Sequence, residues 1–243
     1  MSNLPQSTDK EKSSSSVKPA LDVEDLNKRY SSHSFKERIQ LLYEEFPLND
    51  ILFTSSFGTR SAFLIHIIQD INPDQTIKFI DTTYHFPETL AYKDELVERY
   101  DVTVEHIYPD PIQNKLTTEE SWWIDHPNMC CTVNKIAPLD SVVGKYKIWI
   151  SGLMQFQTSH RSRLRVWEEN GDIVKFHPII DLEEAEFLYH KGLYKLPPHP
   201  LEAHGYQSIG CKHCTRPGQK RAGRWTSKGK TECGLHTSFY YKK

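Results

Sequence analysis

Five cysteines dominate the chemistry open to this chain: Cys130, Cys131, Cys211, Cys214 and Cys233. Four of them form two groups, Cys130-Cys131 and Cys211-Lys212-His213-Cys214. A C-x-x-C pair lets two thiolates converge on one ion from a tight turn. Adjacent cysteines point apart, so using both requires a larger target than one tetrahedral ion, or a strained turn. Four thiolates suit a structural zinc or an iron–sulfur cluster. Two further readings stay open on spacing alone. One is a redox pair at Cys211 and Cys214, against which Thr215-Arg216-Pro217-Gly218 is a poor helix start. The other is buried apolar filler.

The fifth thiol stands apart, in Thr231-Glu232-Cys233-Gly234-Leu235-His236, with Lys228 and Lys230 close by. A thiol on an exposed polar stretch beside cations holds more thiolate than a buried one, which is the setting of a nucleophile. An incidental surface cysteine is the plain alternative. Residues 203–231 carry Lys212, Arg216, Lys220, Arg221, Arg224, Lys228 and Lys230 and no acid, and Arg161, Arg163 and Arg165 form a second basic run. These cations suit a small, multiply charged anion such as a phosphosulfate or nucleotide; a solvated surface is the bland reading. Ser55-Ser56-Phe57-Gly58-Thr59 adds hydroxyls and backbone N–H groups ahead of a helix, a natural oxyanion nest without the lysine of a Walker loop.

Strands and helices alternate ahead of these residues. Apolar spacing at Phe35, Ile39, Leu42 and Phe46 predicts a helix ending near Pro47. Strands are expected over 50–54, 77–81, 102–107 and 147–151, with helices over 62–69 and 88–100. That order predicts an α/β fold, a parallel sheet with helices on both faces and its ligand at the strand C-terminal ends. Beyond about residue 203 the periodicity stops. The chain therefore divides into a disordered leader over 1–20, an α/β nucleotide-binding domain over 21–202, and an irregular segment over 203–243 carrying cysteines of both kinds.

With 243 residues the chain can bury a core without disulfides. A net charge of −2 excludes a generally basic nucleic-acid binder. No window approaches the roughly 18 apolar residues of a membrane helix, so no membrane partner is expected. Met1–Ala20 is serine-rich and has no apolar stretch, unlike a secretory signal. A reducing cytoplasm is the expected compartment, where structural disulfides are rare.

Together these features resemble the assimilatory adenylyl-sulfate / phosphoadenylyl-sulfate reductase family. The motifs that carry the resemblance are Cys130-Cys131-Thr132-Val133-Asn134-Lys135, Gly210-Cys211-Lys212-His213-Cys214-Thr215-Arg216-Pro217 and Glu232-Cys233-Gly234-Leu235-His236. Weaker support comes from Ser55-Ser56-Phe57-Gly58, Asp81 to Thr89, Ile150-Ser151-Gly152 and Arg221-Ala222-Gly223-Arg224-Trp225. The resemblance implies an adenine-nucleotide α-hydrolase-like fold and a [4Fe–4S] cluster on Cys130, Cys131, Cys211 and Cys214. It implies that Cys233 attacks the sulfur of adenylyl sulfate, releasing AMP and leaving a cysteine S-sulfonate. Thioredoxin or a glutaredoxin-like dithiol would then release sulfite, within sulfate assimilation and cysteine biosynthesis. Lys135 and His236 join Cys233 as catalytic residues. Ser55, Ser56, Phe57, Gly58, Arg161, Arg163, Arg221 and Arg224 are the implied substrate-binding set. Members that keep the four cluster cysteines resemble adenylyl-sulfate reductases; the 3′-phosphorylated nucleotide is the alternative substrate. A zinc-stabilised nucleotide-binding protein without turnover is the alternative of a different class. Three residues depart from the family pattern, Asn134, Leu153 and Met154, at positions that are often basic. A homo-oligomer is left open.

Overall fold

The computed structural model describes residues 21–226, 230 and 232–236. The leader expected over 1–20, and Lys228, lie outside the described residues. The described chain begins with helices α1 (Val23–Tyr30) and α2 (Phe35–Glu45). A reciprocal cap starts α2: the Ser34 N–H donates to Glu37 Oε2 at 2.8 Å and the Glu37 N–H to Ser34 Oγ at 3.4 Å. Strand β1 (Ile51–Thr54), α3 (Ser61–Ile71), β2 (Ile77–Ile80), α4 (Pro87–Tyr100) and β3 (Val104–Ile107) follow in strict alternation. These match the expected elements to within two residues at each end.

Between β3 and the next strand lies a helical run: α5 (Pro111–Glu119), α6 (Trp122–Asp125), α7 (Pro127–Cys131) and α8 (Ala137–Val143). A π-helical turn, Thr132–Ile136, joins α7 to α8. Such wide turns re-aim side chains out of helical register and are frequent at functional sites. This one carries Asn134 and Lys135. After β4 (Ile148–Ile150) come β5 (Trp167–Asn170), β6 (Ile173–Phe176) and α9 (Glu184–Leu193).

Among the described residues six strands form one sheet in the order β3-β2-β1-β4-β6-β5. Every neighbouring pair is parallel except β5–β6, an antiparallel hairpin turned at Gly171, whose φ of +64° suits glycine. The sheet is therefore the expected parallel one, with a single antiparallel hairpin at its edge. The Asn170-Gly171 pair shortly ahead of the run Ile173-Val174 was the available signal for that hairpin.

Alternation along each strand divides the core between the two faces. Ile51 and Phe53 of β1 and Ile148 and Ile150 of β4 pack with side chains of α1, α2, α3, α4 and α9. Leu52 and Trp149 point the other way, onto Leu139 of α8. Helices thus cover both faces. Strand order reverses direction at β1, whose neighbours are β2 and β4, so the connections leaving β1 and β4 diverge. A crevice at the C-terminal ends of such a strand pair is the ligand position of open α/β sheets.

Phe57 sets the wall of that crevice from beneath. Its side chain is fully buried and meets Phe79 edge-on at 5.4 Å between ring centroids, while its backbone takes a left-handed φ of +48°. Phe57→Ala is expected to lower unfolding stability by about 3–5 kcal/mol, the cost of emptying a buried aromatic site. Urea denaturation monitored by circular dichroism measures it.

Candidate active site

A cleft of about 240 Å³ opens at the diverging ends of β1 and β4. Its floor is Thr54, Ser55, Ser56 and Gly58 after β1, and Ser151, Gly152 and Leu153 after β4. Ser55 Oγ accepts the Phe57 N–H at 3.1 Å, which tightens the loop and leads into α3, whose first turn has no side-chain cap. Backbone N–H groups at such a terminus favour an anion. Leu64, Leu153 and Phe156 give the cleft an apolar part, where the Arg60 guanidinium lies over the Phe156 ring at 5.0 Å, and Lys135, Arg161, Lys220, Arg221 and Arg224 give it a cationic one. An anion with an apolar body fits that polarity.

The segment beyond residue 203 supplies the roof. It folds into short turns and isolated bridges, including Thr215 to Arg224, in keeping with the lost periodicity. Arg224 is buried, donates to the Ile209 carbonyl at 2.9 Å, and lies over the Trp225 ring at 4.3 Å. A Cβ on Gly210 would collide with its guanidinium, so glycine there makes the guanidinium's seat. Burial lowers the Arg224 pKa, opposed by the nearby thiolate charges of Cys233, Cys211, Cys214 and Cys131. Burial and the neighbouring Arg161 push Arg221 down to about 10, opposed by Glu232.

A second pocket adjoins the first and is lined by Cys130, Cys131, Cys211 and Cys214, with Tyr84, Trp123 and His213 on its rim. Lys135 and Arg224 border both pockets and form the wall between them. The five cysteines form no disulfide. Burial, then the charges of Cys131, Cys211 and Cys214, pushes the Cys130 thiol up to about 12. Cys211 is the opposite case. Burial would raise it, but the Lys135 ammonium and the Thr82 hydroxyl, 3.5 Å from its sulfur, hold it below the ordinary thiol range. Burial works against the charge on Lys135 too, and the thiolates of Cys211, Cys233 and Cys131 outweigh it, so this lysine stays charged. Lys230 reaches back to Cys131 Sγ at 3.4 Å and to Asn128 Oδ1 at 2.9 Å. Four thiols gather in this pocket, a donor type that soft metals and iron–sulfur clusters select, and the imidazole of His213 stacks on Trp123 at its rim. Among the described residues no group of three or more His, Cys, Asp or Glu side chains is arranged to hold a metal ion.

Cys233 is half-buried and lines the cationic end of the cleft. The backbone of His236 closes the turn Gly234–His236 that follows it. The neighbouring Glu232 is buried at 2% exposure. Its carboxylate accepts from Arg161 Nε at 2.8 Å and Nη2 at 2.7 Å, from the Thr158 hydroxyl at 2.8 Å and from Arg221 at 3.3 Å. Burial would raise its pKa, but these partners hold it below the usual carboxylate range.

The sequence-derived set is thus divided. Ser55, Ser56, Gly58, Lys135, Arg161, Arg221, Arg224 and Cys233 line one cleft, and the other four cysteines line the pocket behind it. Phe57 is a core residue, and Arg163 is exposed and does not line the cleft. Side chains two apart on that short turn face different ways. Arg165 pairs with Glu24 at 2.8 Å instead. Asn134 is a buried crosslink: it receives Asn114 Nδ2 at 2.7 Å and donates to Thr117 Oγ1 and the Cys130 carbonyl, each at 3.0 Å. Leu153 lines the cleft and Met154 is core. Residue-level reading gave no role to Glu232, His85 or Lys175. His85 also lines the cleft, and burial pushes it down to about 4, so it is neutral near pH 7. A lysine amid the apolar run Ile173-Val174-Lys175-Phe176 was a usable signal, since strand alternation alone does not account for it.

The sheet order and its helices give the chain a fold of the adenine-nucleotide α-hydrolase-like class. The profile of the phosphoadenosine phosphosulfate reductase domain matches residues 50–217. An adenosine 5′-phosphosulfate reductase of Bacillus cereus (strain AH187) is 36% identical over 207 residues, covering 80% of this chain and 86% of the relative. One from Salinibacter ruber is 31% identical over 222 residues, covering 88% of each. The crystal structure of a phosphoadenylyl-sulfate reductase from Candida auris, a phosphate complex, superposes with a TM-score of 0.69 at 22% identity, covering 80% of this chain and 96% of that one. The chain belongs to the phosphoadenosine phosphosulfate reductase family. Among the described residues no helix is long and apolar enough to cross a membrane.

The Arg161–Glu232 pair sets a pH expectation. Because the Glu232 pKa is lowered by folding, its contribution is complete above the ordinary carboxylate range and is lost as pH falls through the lowered value. Glu232→Gln is expected to cost about 3 kcal/mol at neutral pH, as losing one member of a buried pair does. The difference between wild type and variant then shrinks as pH drops below the usual carboxylate range, measured as unfolding midpoints across pH.

Proposed function

We propose that the protein reduces adenylyl sulfate to sulfite and AMP, with Cys233 as nucleophile. The observation that carries this is the half-buried Cys233 at the cationic end of a nucleotide-sized cleft, flanked by Lys135, Arg221 and Arg224. The names of the relatives support the same reading.

In this scheme the apolar end of the cleft takes the adenosine and the cations take the phosphosulfate. A thiolate meets charge repulsion when it approaches an anionic sulfuryl group, so fixed cations must offset charge that builds in the transition state. Lys135, Arg221 and Arg224 do so at no reorganisation cost, because burial and hydrogen bonds already hold them. The Cys233 Sγ attacks the sulfate sulfur. A sulfur–sulfur bond forms and the sulfur–oxygen bond to the phosphate breaks, so AMP leaves with the bridging oxygen. A thiolate of an external dithiol, thioredoxin or a glutaredoxin-like protein, then attacks Cys233 Sγ and expels sulfite. Its second thiol closes the partner's disulfide and returns Cys233 as thiol. The dithiol supplies both electrons.

Cys130, Cys131, Cys211 and Cys214 are proposed to hold a [4Fe–4S] cluster. Their shared pocket and mutual charge repulsion as thiolates support that reading, since ligation to iron relieves the repulsion. When bound, the cluster would tie together the segments that carry Lys135 and Arg224 and tune the field beside the substrate's sulfate.

Cys233→Ser is expected to abolish sulfite release while leaving iron and sulfide content unchanged, as measured by anaerobic assay and chemical analysis. Full activity in that variant would overturn the nucleophile. The wild-type protein is expected to absorb broadly near about 400 nm through thiolate-to-iron charge transfer; a colourless zinc protein would overturn the cluster. Comparing kcat/KM for adenylyl sulfate and its 3′-phosphorylated form, with adenylyl sulfate expected to be favoured, tests the substrate.

A further inference from the structure

Lys175 stands on β6 where a strand of this sheet would carry an apolar side chain. It is 3% exposed and pairs in register with Trp149 of β4. Its ammonium lies 4.5 Å from the centre of the Trp149 ring and donates to the Leu235 carbonyl at 2.8 Å. Leu235 is two residues beyond Cys233, and its side chain packs on the apolar cluster around Trp149 and Leu139. Lys175 does not line the substrate cleft. Burying an ammonium is costly unless it is paired, so an unconstrained position would have discarded it. On the other side of Cys233, Glu232 is fixed by Arg161, Arg221 and Thr158. The nucleophile is therefore bracketed by two buried polar anchors on different parts of the fold.

We propose that Lys175 is a positioning residue for Cys233: it holds the Leu235 carbonyl against the sheet and, with Glu232 as the second anchor, presents the thiol to the cleft. The proposal rests on Cys233 being the nucleophile. Burial pulls the Lys175 pKa down to about 7, opposed by the charge of Cys233; the neutral amine and the ammonium both carry N–H donors, so the bond to the Leu235 carbonyl holds in either form. A hydrogen bond to a backbone carbonyl is a reversible anchor, which suits a segment whose thiol must also meet an external dithiol.

The test uses the full-length protein and Lys175→Met, which keeps the apolar stem and removes the donor. Hydrogen–deuterium exchange of the segment 230–236 is expected to quicken about tenfold, and kcat to fall about tenfold with KM within about twofold, as for loss of one charge-assisted hydrogen bond that orients without binding substrate. Lys175→Arg, which keeps a donor, is expected to restore part of both. Exchange and kcat unchanged in Lys175→Met, or a raised KM with native kcat, would overturn the proposal. If Lys175→Met does not fold, Lys175→Gln, whose shorter amide leaves the Leu235 carbonyl out of reach, is measured in its place: faster exchange over 232–236 with native KM supports the clamp, and unchanged exchange overturns it. Exchange does not depend on turnover, so failure of the clamp is distinguishable from failure of the nucleophile, which Cys233→Ser reports.

Discussion

Concentrating positive charge in a sheltered cleft is the constraint from which most of the structure follows. Lys135, Arg161, Arg221 and Arg224 crowd one end of a crevice whose walls are largely apolar. Cations that close repel one another and lose hydration, so each requires a fixed compensating group. Glu232 supplies one for Arg161 and Arg221, carbonyl oxygens and the Trp225 face supply others for Arg224, and the thiols supply the remainder for Lys135. The compensators are not the same distance along the chain from what they compensate. Most of them, Cys131 apart, come from the segment after residue 203, and its lack of periodicity is the cost of meeting so many separate partners.

The wall between the two pockets shows how the charge is shared. Lys135 and Arg224 face the cleft on one side and the sulfur group on the other. The π-helical turn that carries Lys135 also carries Asn134, whose amide ties Cys130 to α5 through Thr117 and Asn114. A basic residue at 134 would enter a buried position already crossed by three hydrogen bonds. The neutral amide there is a local solution to packing, and the cations of the cleft come from elsewhere.

Much of this was legible before any coordinates. The alternating strands β1 to β4 and helices α2 to α4 follow from apolar spacing because each buries one face against the sheet. The grouping of the cysteines foreshadowed their places: four line one pocket and Cys233 lines the cleft beside it. The edge hairpin β5–β6 was obscured because Trp167-Glu168-Glu169-Asn170 is half charged and lacks the apolar alternation that marks a strand, although its partner Ile173-Val174-Lys175-Phe176 follows directly in the chain. Phe57 and Arg163 drew attention by adjacency to motif residues, yet a side chain's neighbour in sequence points elsewhere in space. Glu232 and Lys175 were missed for a common reason. Their roles exist only once the segment bearing Cys233 has folded back onto β6 and onto the turn of Arg161, contacts that span 60 and 71 positions of chain.

The seat of Arg224 has a consequence for inheritance. The guanidinium occupies the volume that any side chain at 210 would need. Positions 210 and 224 are therefore one unit divided between two places in the chain. A lineage that exchanged this arginine for a shorter residue would release the bare position to vary, whereas one that retained it would find nearly every change there purged. Correlated substitution at these two sites, in a comparison of many relatives, is the trace such shared occupancy leaves.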